Sequence, residues 1–536
     1  MPLPAQGRSA GGGGGRRDGD GSGQGGHDTA GKRPKRRVLR WSATVLAVVI
    51  LGTAGAGFLY YEHLNGNIRK GERDSGDSKA QKSQPNAAGQ TPVNILLIGS
   101  DSRNSDANIA LGGSRENRGS PPLGDVQMLI HLAADRKSAA VVSIPRDTRV
   151  DIPACKDPKT GKQYPPTNTI INESLARGGA GCTLATWQNL TGVYIDHWMT
   201  IDFAGVVQMA DAIGGVDVCV NQNVWDHSTP AAHGGSGLKL KAGTTNIKGE
   251  QALQWLRTRH AWGSDLMRAR AQHMYLNSMI RTLKGQSIFT DSGRLMGLAE
   301  AATKSLQVSE EIGTVKKLYD LSMELKTVPT DRITMTTMPN VEDPGNRDHV
   351  VPDGAGAEKV WKMLRDDVAF DGNGGKDSDD KAKADTAKDQ PSTPPAHTDG
   401  QIGVAVQNGT RGSSRAAVPH RASDISGELE GKGFTRAVAD GSVTPSVDQT
   451  VVRYPSAELK GDAERVARAL GIPLSAVKKS TDVSGVTLVV GADWRTGTSF
   501  PQQADPKAGD IPKNSDALNG ADDKQCMNVY SKIYEW

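Results

Sequence analysis

Two apolar runs in this 536-residue chain break off into acid and base in the same way. Asn94 to Ile98 passes through Gly99 and Ser100 into Asp101, Ser102 and Arg103; Val142 to Ile144 passes through Pro145 into Arg146 and Asp147. Gly99 permits a tight exit, and Pro145 lacks the N–H that a central strand must donate, so both runs should end there as strands. A third acid, Asp125, stands just before another apolar run at 128–132. Arg257 and Arg259 close a helical stretch, and if the chain becomes extended there, both guanidiniums face one spot. Arg268 and Gln272, four apart on the next predicted helix, share a face. A guanidinium is a planar fork that matches phosphate oxygens, and two carboxylates beside a polyphosphate suit Mg²⁺. These residue types describe a pyrophosphate site. The plainer alternative is a set of solvated strand ends and a salt-bridged helix face, with Asp265 as the main nearby carboxylate. The chain has no Walker A loop, H-E-x-x-H motif or kinase signature set, so ATP is not the implied phosphate donor.

Positioning such groups needs a sheet. Residues 93–98, 128–132, 139–144 and 216–220 are predicted as buried strands, and 184–190, 203–213, 249–256 and 265–283 as helices. That alternation implies a layered α/β domain, in which ligands gather beyond the carboxyl ends of strands.

The flanking regions read differently. Residues 1–37 are rich in Gly, Arg and Ser and are expected to be a disordered cytoplasmic tail. Lys32, Arg33, Lys35, Arg36, Arg37 and Arg40 precede an uncharged run from Trp41 to Tyr61. A transmembrane helix over 38–61 follows, with its N-terminus inside and the bulk of the chain outside. Ala54-Gly55-Ala56 resembles a signal-peptidase site, but the run exceeds the roughly 7–15 residues of a signal core, which favours retention. A polar stalk is expected over 62–91, a first globular domain over 92–367 and a disordered linker over 368–400. A smaller domain over 401–495 and an irregular tail over 496–536 complete the chain. The net charge of +4 lacks the basic bias of a nucleic-acid binder. Four cysteines allow three pairings. Cys155 and Cys182 flank one loop-rich stretch and are the favoured pair; Cys219 lies in an apolar run and could equally be a buried thiol.

In their order, segments 94–103, 142–148, 172–179, 203–220, 249–259 and 265–272 resemble the LytR–CpsA–Psr (LCP) family of cell-wall glycopolymer transferases. Residues 402–494, with Asn408-Gly409-Thr410, Tyr454, Gly491 and Asp493, look like the small LytR_C-type domain often attached to it. The resemblance implies an α-β-α catalytic domain and a small α/β domain behind one transmembrane helix. It implies that Asp101 and Asp125 hold Mg²⁺, and that Arg146, Arg257, Arg259, Arg268 and Gln272 bind pyrophosphate. Catalysis would rest on Asp101, Arg146, Arg257 and Arg259, with Arg103 and Asp147 in support and Asp101 as the candidate base. A polyprenyl-pyrophosphate-linked glycan such as teichoic acid would lodge its lipid in an apolar pocket. Its glycosyl phosphate would pass to a peptidoglycan hydroxyl outside the cell membrane, releasing polyprenyl phosphate. The chain departs from the family pattern at Leu123 and Ile170, where the family often has Arg and Lys, and at Ala271 and His273, where it often has Arg and Gln. The missing cations suit one alternative, a non-catalytic lipid- or wall-binding protein of the same fold; water in place of the sugar hydroxyl as acceptor gives the other, a polyprenyl-pyrophosphate phosphatase.

Overall fold

The computed structural model describes residues 35–536, except 79, 102–105, 112–118, 231, 286–291, 373–393, 412–415, 443–446, 448 and 502–504. Arg103 and the tail before residue 35 therefore lie outside the described residues. Helix α1 (Lys35–Asn67) contains a stretch, Arg40–Asn67, long and apolar enough to cross a membrane by length and composition.

From Glu62 onward the chain forms a separate compact unit. Its centre is an eight-stranded mixed sheet. Strands β1 (Arg69–Gly71), β2 (Val93–Ser100), β3 (Gly124–Leu132), β4 (Ala139–Ser143) and β5 (His197–Ile201) contribute to it, as do three later ones. Strands β6 (Val216–Val220), β7 (Val224–Trp225), β8 (Lys239–Leu240) and β9 (Gly243–Ile247) lie outside the sheet as two small antiparallel pairs, β6 with β9 and β7 with β8. The large sheet is completed by β10 (Leu306–Ser309), β11 (Ile333–Thr337) and β12 (Leu518–Asn519), in the order β1-β10-β5-β2-β3-β4-β11-β12.

Both faces of this sheet are covered, which is why its central strands read as continuous apolar runs. Leu96 and Ile98 of β2, with Leu129 and Val142, pack against Leu184 and Trp187 of α2 (Ser174–Thr191). Trp361 and Leu364 of a late helix (Gly354–Arg365) join the same layer. Val93, Ile95 and Leu97 alternate to the opposite face. There they meet residues of α5 (Asp265–Gly285) and α7 (Val315–Thr327). Helices α3 (Phe203–Ile213), α4 (Gly249–Arg257) and α6 (Ser292–Ser305) complete this half. Residues 402–494 build a second core around a five-stranded sheet and two helices, with Phe434 and Trp494 fully buried.

Two expectations change here. The segment expected as a polar stalk adds β1 to the sheet edge, pairing Arg69 to Gly71 in parallel with Gln307 to Ser309. The tail after the second domain is irregular for most of its length, yet it returns to the first domain. β12 pairs with β11 (Met335 opposite Leu518), and Cys526 forms a disulfide with Cys219 of β6. Cys219 is thus not a free thiol. The other disulfide joins Cys155 to Cys182. Gly178 packs on it so closely that a Cβ would meet Cys182 Cβ at 2.9 Å.

Candidate active site

The groups at the strand ends do assemble. β2 and β3 are antiparallel central strands, with Ser100 opposite Gly124, so Asp101 and Asp125 sit on neighbouring chain segments at one end of the sheet. The Leu123 N–H donates to Asp101 Oδ1 at 2.7 Å, and the Asp101 N–H donates to the Leu123 carbonyl at 3.2 Å. This closed pair fixes the Asp101 carboxylate, which is only 9% exposed. Arg146, just past β4, donates from Nη1 to Asp125 Oδ1 at 3.0 Å.

Arg146 also joins a second carboxylate. Its Nε lies 3.3 Å from Asp265 Oδ2, at the start of α5. Arg268, one turn on, donates to the same oxygen at 2.7 Å, and Arg259 Nη1 lies 3.7 Å from Asp265 Oδ1. Three arginines from three parts of the chain thus converge on Asp265. Burial opposes the charge on Arg146, but Asp125, Asp265 and Asp147 together outweigh it and raise its pKa. For Arg268 burial wins, helped by Arg146, and its pKa falls below the usual arginine value despite Asp265. Burial raises the Asp147 carboxyl; Arg146 pulls against that shift and Asp265 adds to it. The site interleaves three arginines with the carboxylates Asp125, Asp147 and Asp265, and Asp265 is the one that all three arginines share, so a polyanion that displaces it would meet three cations at once.

Asp101, Asp125, Arg146, Arg259, Arg268 and Asp147 are in this region as the sequence suggests, but two predicted residues have other partners. Arg257, the last residue of α4, stacks on the Phe203 ring at 4.7 Å and donates to the Leu111 carbonyl at 2.9 Å. It does not share the Asp265 contact of Arg259. Gln272 is buried and donates to the Leu256 carbonyl at 3.0 Å, so it pins the end of α4 instead of facing the cluster. Trp255 Nε1 makes the reciprocal tie to the Ala271 carbonyl at 2.9 Å. Arg270 turns to Asp516 and Gln525 of the returning tail. The sequence offers Asp265 only as the main carboxylate near the arginines, three residues before Arg268 on one helix; the structure makes it the acid that Arg146, Arg259 and Arg268 share. Asn172 was missed: its N–H donates to the Arg146 carbonyl at 3.3 Å, and its Oδ1 is buried without a hydrogen-bond partner.

Among the described residues, no group of three or more His, Cys, Asp or Glu is arranged to hold a metal by itself. Asp101 and Asp125 would supply carboxylate oxygens only, a donor set of the kind that a hard cation such as Mg²⁺ takes.

The LytR_cpsA_psr family model matches residues 60–366, and a model described as LytR cell envelope-related transcriptional attenuator matches residues 401–494. The cell wall biosynthesis protein LcpA of Corynebacterium glutamicum is 27% identical over 343 residues, which cover 59% of this chain and 63% of LcpA. The polyisoprenyl-teichoic acid–peptidoglycan teichoic acid transferase TagV of Bacillus subtilis is 24% identical over 338 residues, covering 63% of this chain and 79% of TagV. The crystal structure of B. subtilis TagV aligns with 52% of this chain and 97% of its own, at 24% identity and a TM-score of 0.39.

Proposed function

The chain belongs to the LytR_cpsA_psr family, and from that premise we propose that it is a membrane-anchored phosphotransferase. It moves a glycopolymer from a polyprenyl-pyrophosphate carrier to peptidoglycan, on the outer side of the membrane. The convergence of Arg146, Arg259 and Arg268 on Asp265 carries this reading. A bound pyrophosphate takes over charge-assisted contacts that Asp265 already holds in place, so the cations need little rearrangement as charge develops. LcpA is named for cell wall biosynthesis and TagV for transfer of teichoic acid to peptidoglycan, which supports the choice of donor and acceptor.

In the proposed reaction the acceptor hydroxyl oxygen attacks the sugar-side phosphorus. A new O–P bond forms, the bond to the bridging oxygen breaks, and polyprenyl phosphate leaves. The hydroxyl proton passes to a carboxylate; Asp101, held by the Leu123 N–H, is the candidate. Mg²⁺ held by Asp101 and Asp125 would neutralise phosphoryl oxygens when bound. Between the sheet and α5 lie Leu97, Val126, Ile130, Met274, Leu276 and Ile280, all apolar and only partly buried. This layer suits a prenyl chain.

The test is reconstitution of the full chain with radiolabelled polyprenyl-pyrophosphate glycan, purified sacculi and a Mg²⁺ titration. Label should become covalently bound to sacculi with stoichiometric polyprenyl phosphate. Label appearing only as free sugar phosphate would make the acceptor water and the enzyme a phosphatase; no turnover at any Mg²⁺ concentration would leave a binding protein.

A further inference from the structure

Tryptophan exposure in this protein is selective. Beyond residue 62, six of the eight tryptophans are at most 2% exposed. The other two, Trp225 at 40% and Trp536 at 46%, lie on one patch. Lys239 bridges them, its Nζ 5.0 Å from the Trp225 ring centre and 4.3 Å from that of Trp536. His227 stacks on Trp225 at 4.2 Å, and the ring of Tyr534, on the returning segment, lies 5.8 Å from that of His227.

The patch is built, not incidental. Trp536 Nε1 donates to the Leu240 carbonyl at 3.2 Å, and Asn223 Nδ2 donates to the Trp536 carbonyl at 2.9 Å. Asn221 Nδ2 donates to Asn528 Oδ1 at 2.7 Å. Two disulfide-linked segments, β6 and the tail, hold the frame. It also adjoins the candidate active site. The Tyr530 N–H donates to the Ala261 carbonyl at 2.8 Å, and the Tyr534 ring lies 6.4 Å from that of His260, the residue after Arg259. Gly263 closes this loop at φ +86°, with the Tyr530 ring so near that a Cβ there would collide with it.

We propose that Trp225 and Trp536 form a stacking platform for the glycan strand of the acceptor, an assignment that rests on the transferase reading above. Flat indole faces take up the C–H faces of sugar rings, and neighbouring amides such as Asn221 and Asn528 meet hydroxyls. A lipid surface fits less well. Lys239 is the permanent cation seated against the two rings, whereas headgroup capture takes roughly four to eight basic residues. The loop shared with Arg259 would place the strand beside the phosphate that it must receive.

The test compares the full chain in detergent micelles with Trp225→Ala/Trp536→Ala, Trp225→Phe/Trp536→Phe and the distant control Tyr319→Ala. The probe is purified sacculi stripped of glycopolymer. The alanine pair should weaken sacculus binding and raise the acceptor KM by roughly tenfold, while the donor KM and kcat stay near wild type below a Tm lowered by the lost Leu240 bond. The phenylalanine pair should recover most of the loss. Wild-type binding and acceptor KM in the alanine pair of an active enzyme would overturn the platform alone. Lost binding by that pair in a chain that transfers nothing would retain the platform and sink the transferase reading. In proteoliposomes, greater quenching of wild type than of the alanine pair by brominated lipid would turn the rings to the bilayer and overturn the glycan assignment.

Discussion

Arg146 Nε lies 3.3 Å from Asp265 Oδ2, tying the end of β4 to the start of α5. Because Arg259 and Arg268 share the same carboxylate, its loss removes the acid partner of partly buried Arg268 and of exposed Arg259 and leaves Arg146 to Asp125 and Asp147. Asp265→Asn should therefore destabilise the fold by about 1–3 kcal/mol, a few degrees in Tm. Inorganic pyrophosphate should raise Tm more in the variant than in wild type, since it replaces the missing charge. Equal shifts in thermal melts with and without pyrophosphate would show that the cluster is not the polyanion site.

Arg257 and Arg259 should separate on mutation. Arg259 is 46% exposed at its side chain and its pair with Asp265 is long, so Arg259→Ala should cost under about 0.5 kcal/mol of stability. Lost phosphate contacts should still slow transfer about ten- to a hundredfold. Arg257→Ala also strips a ring contact and a hydrogen bond to Leu111, adding a stability loss of about 1–2 kcal/mol. Arg257→Lys should recover part of the rate, as an ammonium lacks the fork. Parallel kinetics and melts decide: if both alanine variants lose rate only in proportion to Tm, neither arginine grips the substrate.

The sheet and the strand-end site were legible because each depends on local sequence. β2 and β4 are apolar runs that end at Ser100 and Ser143, and antiparallel β3 begins at Gly124-Asp125 between them, so the charges at these termini had to lie at one end of the sheet. What depends on distant packing was not legible. Arg257 finds Phe203 and Leu111, and Gln272 finds Leu256, through contacts that their spacing along the helices does not encode. β1 and β12 are only three and two residues long, mostly polar, and carry no alternation to read. The Cys219–Cys526 bond spans 307 residues and a whole intervening domain, so nothing near either cysteine announces it.

His273 stands where the family pattern often has Gln, and the structure buries it fully with neither ring nitrogen hydrogen-bonded. Burial, with Arg270 adding to it, pushes its pKa down to about 4. The unfolded chain takes up this proton near the ordinary 6.5, while the folded chain resists until about 4. Stability from this residue is therefore lost as pH falls from 6.5 towards 4, by up to about 3 kcal/mol. His273→Leu should melt above wild type at pH 7, and the gap should widen by pH 4.5. A gap that stays constant across that range would mean that His273 is not held neutral by burial.

The returning tail should behave as part of the first domain. Its anchors are β12 against β11, the Asp516 contact to Arg270, the Ser515 carbonyl accepting from Thr336 Oγ1 at 2.7 Å, and the Cys219–Cys526 bond. A bond that closes so long a loop constrains the unfolded chain strongly, and losing a native disulfide costs about 2–5 kcal/mol. Cys219→Ser/Cys526→Ser should lower Tm by several degrees and expose the segment beyond Gly520 to limited proteolysis. Because Tyr530 and Tyr534 brace the loop after Arg259, the same variant should lose transfer rate below its Tm. Cys155→Ser/Cys182→Ser, whose bond lies in the layer behind Trp187, should lower Tm without releasing the tail. Digestion followed by mass spectrometry separates the two. Release of the tail at equal rates from wild type and the Cys219/Cys526 variant would mean that the bond does not hold the tail in place.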